Sequence, residues 1–293
     1  MNRFFAALVA ALALLAACGD SGSSHTATRT SKTARPNRIV SMSPTATEML
    51  FAIGAGDQVI AVDDQSNYPK GVPKTKLSAY QPSVEAITHY KPDLVVIADD
   101  TKGLRASLTK LKVKVLVGPA AKTLDDTYAQ LTELGAKTDH RSGAARVVSS
   151  IKSKIAKIVA QVPRRATPLT YYHELDNTLY TATSKTFIGQ LYSLAGLRNV
   201  ADPADAGGQS GGYPQLSAEF LVSASPDLVF LADTNCCQQT PATFAARPGF
   251  DRLKAVQTHH VIGLDDDIAS RWGPRITDFL QRIVDVVKSV PAT

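Results

Sequence analysis

One segment of the chain occurs twice. It reads SVEAITHYKPDLVVIAD from Ser83 to Asp99 and SAEFLVSASPDLVFLAD from Ser217 to Asp233, and the identical residues recur at one constant offset. Each copy predicts the same unit: a helix capped by serine, a glutamate in its first turn, and a Pro-Asp pair that ends the helix before a buried strand. A chain that uses one helix–strand unit twice is expected to form two similar α/β lobes.

Apolar strands alternate with helical segments in both halves of the chain. This alternation is typical of parallel sheets that are covered by helices on both faces. Ser43 or Thr45 can cap the first helix, and Pro44 suits its first turn. The predicted strands are 38–42, 59–63, 94–98, 113–117, 169–172, 228–232 and 261–264, and the predicted helices include 44–53, 187–195 and 274–290.

A longer helix separates the two copies. Between 143 and 162 the valines and isoleucines fall on one face and three lysines on the other, and Pro163 ends the pattern. We therefore predict an N-terminal lobe at 38–140, an interdomain helix at 141–163 and a C-terminal lobe at 164–293.

The N-terminus has the features of an export signal. Arg3 precedes an uncharged run that ends in Leu-Ala-Ala-Cys-Gly, which resembles the lipobox of bacterial lipoproteins. This resemblance implies a signal peptide at 1–17 and a lipid on Cys18, followed by a flexible tether at 18–37 that lacks large apolar residues. The alternative is an ordinary signal peptide with a chance cysteine. We expect the protein to lie outside the cytoplasm, anchored to the cell membrane by this lipid alone.

The charge of the chain does not indicate a nucleic-acid partner. The formal net charge is +6, spread along the sequence, and 20% of the residues are charged. No arginine-rich helix or alternation of aromatic and basic residues is present. The charge is explained by solubility and by attraction to an anionic envelope.

Several motifs, taken in order, resemble one family. They are SPTATEMLFAIGAGDQVIAVD, NYP, SVEAITHYKPDLVV, the long helix, YTA, YPQLSAEFLVSASPDLVF and SRWGPRI. From about 38 to 287 the chain resembles the ABC-importer substrate-binding proteins for vitamin B12, ferric siderophores and haem, and it looks closest to the B12-binding branch. The resemblance implies two Rossmann-like lobes with parallel-rich sheets, one long helix between them, and a ligand cleft between the lobes.

The resemblance also gives a role to the repeated glutamates. In such proteins one glutamate on each lobe pairs with arginines of the membrane permease, and Glu85 and Glu219 fall on those positions. A pseudo-symmetric pair fits a two-fold permease, because each half offers the same basic pocket. The implied partners are an ABC permease with its ATPase, and we expect the binding protein to be a monomer.

The ligand is expected at the loops that follow the strands. The B12 relatives line their cleft with aromatic residues, and this chain has Tyr80, Tyr180 and Tyr213 at matching positions, with Gln65 and Asp99 where further aromatics can occur. Each tyrosine could instead be a rim residue. Asp267 and Arg271 match an acidic and basic pair that would bind the ligand edge, or they close the loop as a local ion pair. The predicted ligand-binding residues are Gln65, Tyr80, Asp99, Tyr180, Tyr213, Cys236, Cys237, Asp267, Arg271 and Trp272.

Two adjacent cysteines follow the last copy of the repeat. Cys236 and Cys237 are predicted to form a vicinal disulfide in an oxidising exterior, and to present a rigid apolar surface to the ligand. The alternatives are two reduced buried thiols or a metal site. His259 and His260 lack a helix-spaced carboxylate and are interpreted as a surface pair, although sequence leaves an iron or haem site open.

The resulting prediction is a binding protein without catalysis or an intrinsic cofactor or metal site. Its ligand is a bulky metal-containing small molecule, with cobalamin or another corrinoid favoured and a ferric siderophore or haem as the alternative. A cell-surface serine hydrolase is the alternative from another class. It would use Ser210 in Gly208-Gln209-Ser210-Gly211-Gly212, but loop residues flank this motif where a nucleophile elbow needs a strand and a helix.

Overall fold

The computed structural model describes residues 35–291. The predicted signal peptide at 1–17, the lipidation site Cys18 and most of the predicted tether lie outside these residues.

The described residues form strands and helices in alternation. The strands are β1 (Ile39–Met42), β2 (Val59–Asp63), β3 (Lys74–Leu77), β4 (Leu94–Ile97), β5 (Lys114–Val117), β6 (Thr170–Glu174), β7 (Arg198–Asn199), β8 (Leu228–Leu231) and β9 (Val261–Gly263). The helices are α1 (Pro44–Ala52), α2 (Val84–His89), α3 (Leu104–Lys110), α4 (Leu124–Thr138), α5 (Arg141–Val159), α6 (Phe187–Leu194), α7 (Ala218–Ala224), α8 (Pro241–Ala245), α9 (Lys254–Gln257), α10 (Asp266–Ala269) and α11 (Ile276–Ser289).

The strands form two parallel sheets with matching topology. The first has the order β3-β2-β1-β4-β5 and the second β7-β6-β8-β9. The register pairs Ile39 with Leu94 in the first sheet and Tyr171 with Leu228 in the second. The two copies of the repeated segment thus supply α2 with β4 and α7 with β8, at equivalent places. The prediction of two parallel-sheet α/β lobes is confirmed.

The aspartate of the repeated Pro-Asp-Leu motif has the same structural role in both lobes. One Asp93 carboxylate oxygen accepts the backbone N–H groups of Asn37 and Arg38 at 2.9 and 3.2 Å. One Asp227 oxygen accepts the backbone N–H and hydroxyl of Thr170 at 2.7 and 2.8 Å. Each carboxylate therefore fixes the beginning of the first strand of its own lobe, which is β1 for Asp93 and β6 for Asp227. This contact supplies a structural reason for the repeated aspartate.

The long helix α5 joins the lobes. Its apolar face buries Ile151, Ile155 and Ile158, and it packs against α4 and α11. One hydrophobic cluster runs through both lobes, from Met49 of α1 to Phe279 of α11. Because the lobes share this core, they cannot separate without exposing apolar surface.

Some elements differ from the sequence-based expectation. The edge strand β3 and the two-residue strand β7 were not predicted, because β3 is mostly exposed and carries lysines, and β7 is too short to show a pattern. Helix α5 begins at residue 141, as predicted, and ends at Val159, four residues before the predicted end at 163. None of the helices within residues 35–291 combines the length and apolar character that a membrane span requires.

Candidate functional site

A cavity of about 1060 Å³ lies between the lobes. In the N-terminal lobe its lining includes Met42, Asp63 and Ile97, which are the last residues of β1, β2 and β4. In the C-terminal lobe it is lined by the segment after β8 and by residues 266–272. The cavity thus lies at the carboxyl ends of the parallel strands, where α/β folds commonly bind ligands.

The cavity brings together most of the predicted ligand-binding residues. Tyr213 lines a smaller cavity of about 80 Å³ instead, and this cavity shares Ser270, Arg271 and Trp272 with the larger one. Tyr180 and Cys237 line neither cavity, and Tyr180 forms an isolated bridge with Gln215. The larger cavity is lined by Gln65, Tyr80, Asp99, Cys236, Asp267, Arg271 and Trp272. Contact with a ligand remains a prediction for all ten residues.

The wall contributed by the N-terminal lobe combines apolar and polar side chains. Met42, Ile97 and Leu104 reach the cavity from the core of the lobe, and Pro82 lies near its edge. Tyr80 is 78% exposed, so its ring is covered by little of the protein itself. The Tyr80 ring offers van der Waals contact to an apolar ligand face.

A buried polar chain holds the loop that follows β2. The carboxylate of Asp63 accepts the backbone N–H of Gln65 at 2.9 Å and the hydroxyl of Ser66 at 2.8 Å. The Ser66 hydroxyl also lies 2.9 Å from that of Thr47 in α1. Burial raises the pKa of Asp63 above its ordinary value. The loop is therefore fixed from inside the lobe, which positions Gln65 at the cavity.

Charged residues of both lobes form a cluster at one end of the cavity. Arg271 donates to Glu48 at 2.9 Å, to Asn67 at 3.0 Å and to Asp267 at 2.5 Å. Arg275 donates to the two oxygens of Glu48 at 3.0 and 2.6 Å. Glu48 is 2% exposed. Its position in the short helix α1 did not indicate from the sequence that it pairs with two arginines.

The Asp267–Arg271 ion pair predicted as the alternative is present in the structure. It extends across the interlobe boundary, because Asn67 donates to Asp267 at 2.5 Å. The Arg271 side chain is 8% exposed and is occupied by protein partners. The cluster therefore joins the lobes, whereas hydrogen bonding of Arg271 to a ligand stays a prediction.

Trp272 also links the lobes. Its indole N–H donates to the side chain of Gln130 in α4 at 3.0 Å, and its carbonyl accepts the hydroxyl of Thr127 at 3.0 Å. The indole nitrogen is therefore satisfied within the protein. What Trp272 can offer a ligand is the surface of its half-buried ring.

The predicted disulfide between Cys236 and Cys237 is absent from the structure, where both are free, exposed thiols. The turn is instead held by the carboxylate of Asp266, which accepts the backbone N–H groups of Thr234, Asn235 and Cys236 at 2.8, 3.0 and 2.9 Å. Three successive hydrogen bonds to one carboxylate define this backbone without a covalent ring. Partial desolvation, the neighbouring thiol of Cys237 and the charge of Asp266 raise the pKa of Cys236 to about 12.

A second charged cluster lies buried inside the C-terminal lobe. Arg247 donates to both carboxylate oxygens of Glu174, at 2.7 and 2.6 Å. Asp233 is 0% exposed, and neither of its oxygens has a hydrogen-bond partner of standard geometry among the described residues. Burial and the neighbouring Glu174 raise the pKa of Asp233 to about 7. Sequence reasoning missed this cluster, because nothing in the pattern marks these carboxyl groups as buried.

In the C-terminal lobe this cluster occupies the place that corresponds to part of the cavity wall in the N-terminal lobe. Met42 pairs with Ile97 in the first sheet, and Glu174 pairs with Leu231 at the same place in the second. Asp99 and Asp233 end the two copies of the repeated segment. Met42 and Asp99 line the cavity, whereas their counterparts are covered by the segment that leads to Arg247.

The repeated glutamates are exposed and lie outside the cavity lining. Glu85 and Glu219 each lie in the first turn of a helix, α2 or α7. Ser83 and Ser217 cap these helices by accepting backbone N–H groups at 3.2 and 3.1 Å. Hydrogen bonds from its own backbone and from Ser217 lower the pKa of Glu219. Both carboxylates are available to a partner.

Ser210 has no nucleophile-elbow geometry. It is exposed in the loop after Asp202–Asp205, and its backbone N–H donates to Asp205 at 2.8 Å. No strand leads into this loop and no helix follows it directly. Within the part of the chain that the structure describes, no three His, Cys, Asp or Glu side chains gather as a metal site.

The sequence matches one protein family over most of its length. The model of the family described as "Periplasmic binding protein" matches residues 39–268. An uncharacterised ABC transporter substrate-binding lipoprotein of Bacillus subtilis, YvrC, is 26% identical over 97% of this chain and 96% of its own length. A cobalamin-binding protein of Halobacterium salinarum is 30% identical over 85% of this chain and 69% of its own length. These relatives are binding proteins rather than enzymes.

Solved structures share the fold. A possible iron-binding (periplasmic solute-binding) protein from Staphylococcus epidermidis is 27% identical and superposes with a TM-score of 0.75 over 87% of this chain and 99% of its own. The periplasmic vitamin B12-binding protein BtuF of Vibrio cholerae is 24% identical, with a TM-score of 0.69 over 86% of this chain and 97% of its own.

Proposed function

The chain belongs to the periplasmic binding protein family, and we propose that it is the substrate-binding protein of an ABC importer for a bulky metal-containing small molecule, with a corrinoid as the favoured ligand. It acts outside the cytoplasm as a monomer, held at the membrane by a lipid on Cys18. It captures the ligand between its lobes and delivers it to the permease and its ATPase without chemical change.

The interlobe cavity is the observation that carries this proposal. Its volume of about 1060 Å³ slightly exceeds the usual range for small-molecule sites, about 300–1,000 Å³. A site for one amino acid or one metal ion would not need this space. The exposed ring of Tyr80 suits stacking on a broad, flat ligand.

The relatives support a tetrapyrrole-like or iron-containing ligand. The Halobacterium protein is named for cobalamin, and a vitamin B12-binding protein of Pectobacterium carotovorum is 27% identical over 85% of this chain. The Staphylococcus structure is named as possibly iron-binding, which keeps a ferric siderophore or haem as the alternative ligand.

The exposed glutamates support delivery to a two-fold permease. Glu85 and Glu219 occupy equivalent turns of the two lobes, and neither is paired within the described residues. Two equivalent carboxylates can each meet a basic pocket on one half of a symmetric partner. The lipid anchor is supported by the lipoprotein name of the Bacillus relative, which aligns with nearly the whole chain.

Ligand capture can be tested on protein purified from its own envelope. We expect the copurifying molecule to give a visible absorption spectrum and a mass typical of a corrinoid, and cyanocobalamin to bind the emptied protein by calorimetry without turnover. A small metal-free ligand in the cavity would contradict the proposal. So would labelling of Ser210 by a serine-directed fluorophosphonate. Loss of incorporated fatty acid in a Cys18→Ser variant would test the anchor.

A further inference from the structure

The interlobe charged cluster contributes no net charge to the cavity. Glu48 and Asp267 are matched by Arg271 and Arg275, and all four are joined by ion pairs. Arg271 is the single arginine in the cavity lining formed by the described residues, and no lysine joins it there. Positive charge in the cavity is therefore already neutralised before a ligand arrives.

Three further carboxyl groups line the same cavity: Asp63, Asp99 and Asp266. Asp63 is 0% exposed, and its two oxygens accept hydrogen bonds from Gln65 and Ser66 within the lobe. Both oxygens of Asp266 accept backbone N–H groups. Asp99 is exposed, and its carboxylate accepts only a 3.3 Å bond from the hydroxyl of Thr101 among the described residues. Asp99 is thus the carboxylate that is free to meet a ligand.

The cavity is negative although the chain carries a formal net charge of +6. An anionic ligand would meet the Asp99 carboxylate, and the described lining residues offer no lysine and no unpaired arginine as a counter-charge. A ligand edge with amide N–H groups or positive charge would instead donate hydrogen bonds to Asp99. Low-dielectric walls strengthen both the repulsion and the attraction.

We infer that the cavity selects its ligand by charge, accepting a metal complex whose edge carries amide donors or positive charge and rejecting one whose edge carries carboxylates or catecholates. The inference rests on the proposed function and deepens it, because it separates ligand classes within that function. Asp99 is the residue that determines this specificity. One unit charge about 6 Å away, at an effective dielectric constant of about 40, changes affinity about tenfold.

The test compares four probes by calorimetry or fluorescence quenching. Cyanocobalamin and ferrioxamine B, a ferric trihydroxamate with a pendant ammonium group, represent amide-edged ligands. Haemin, which has two carboxylates, and a ferric tris-catecholate represent anionic ligands. We expect wild-type protein to bind at least one of the first two about tenfold or more tightly than either anionic probe. The amide-edged probe that binds more tightly shows whether the ligand is a corrinoid or a ferric hydroxamate.

Charge reversal then tests the assigned residue. Asp99→Lys changes the local charge by two units and is expected to raise the affinity for both anionic probes about a hundredfold and to weaken ferrioxamine B, while Asp99→Asn removes one unit and gives about a tenfold change in the same direction. The matched control is Asp125→Lys, because Asp125 is exposed in the first turn of α4 and outside the cavity lining. Melting temperatures and circular dichroism verify that all variants fold.

The outcomes separate the inference from the function on which it rests. Equal or tighter binding of an anionic probe by wild-type protein overturns the charge selection and leaves the proposed function standing. The same holds if Asp99→Lys behaves like Asp125→Lys. Failure of all four probes to bind overturns the proposed function, and the inference falls with it.

Discussion

Arg271 of the C-terminal lobe donates a hydrogen bond to Glu48 of the N-terminal lobe over 2.9 Å. Glu48 is 2% exposed, and its other charged partner, Arg275, also belongs to the C-terminal lobe. Wide opening of the lobes would separate this carboxylate from both arginines and break two buried ion pairs, which is costly. The pair therefore acts together with the shared core to hold the lobes at one separation.

Removal of Arg271 is expected to destabilise the fold. In Arg271→Ala, Glu48 keeps Arg275 but loses one of two cationic partners, so we expect the free energy of unfolding to fall by about 2–4 kcal/mol. Urea denaturation measures this change. Arg146→Ala is the control, because Arg146 is exposed on α5 and should alter stability by less than about 0.5 kcal/mol. Equal losses in both variants would contradict the structural role of the cluster.

Ligand binding is expected to cause only a small hinge motion. The lobes share one hydrophobic cluster and a continuous helix between them, and such a connection bends less than loop crossovers do. X-ray scattering curves with and without cyanocobalamin should nearly overlay. Compaction of the wild-type protein comparable to full closure of two separate domains would show that the shared core does not restrain the lobes.

Reversal of either exposed glutamate is expected to block transport without changing ligand affinity. Glu85→Arg or Glu219→Arg places like charges across the proposed permease contact. Uptake in whole cells and calorimetry on the isolated protein measure the two effects separately. Glu133→Arg, an exposed change on α4, serves as the control and should transport normally. If either variant binds ligand more weakly in isolation, its glutamate acts on the cavity.

Asp233 is expected to make stability depend on pH. Burial and Glu174 raise its pKa to about 7 in the folded state, against about 3.9 in an unfolded chain. Between these two pKa values, Asp233 therefore keeps its proton in the folded protein and loses it in the unfolded chain. The contribution of Asp233 to the free energy of unfolding is complete below pH about 4 and declines as the pH rises to about 7.

The Asp233→Asn variant isolates this effect, because asparagine resembles the protonated acid and does not titrate. The free energy of unfolding of the variant minus that of wild type should increase between pH about 5 and about 7.5. Urea denaturation at both pH values measures it. The corresponding difference for Asp125→Asn, at an exposed site, should stay flat, and a flat difference for Asp233→Asn would contradict the raised pKa.

Both thiols of the cysteine pair are expected to react without prior reduction. In a Cys18→Ser variant, the remaining cysteines are Cys236 and Cys237. A disulfide-exchange reagent should count two thiols in untreated protein. Cys236 should react slowly, because its raised pKa leaves little thiolate at neutral pH. A count of zero before reduction and two after it would show that the pair is oxidised in solution.

The sequence predicted the elements well where the pattern was local and repeated. Strand β2 was predicted with its observed bounds, and α1 begins at the predicted Pro44 with Ser43 as its cap. The two copies of the repeated segment predicted the two lobes, because a strand's alternation and a helix's cap depend on neighbouring residues alone.

The charged contacts of the site depend on residues far apart in the chain. Glu48 and Arg271 are joined across both lobes, and no spacing within the sequence connects them. Similarly, Asp99 and Asp233 end the two copies of the repeated segment, yet one is exposed in the cavity and the other is buried. The difference comes from the segment between β8 and Arg247, whose path over the sheet is a tertiary property.

The two lobes repeat one topology but present different surfaces to the cavity. Met42 and Asp99 line it on one side, whereas on the other side Glu174 and Asp233 lie beneath a covering segment. A ligand with two unlike faces would therefore meet different surfaces in its two orientations. One of these orientations would be favoured, and every bound molecule would then present the same face at the mouth of the cavity.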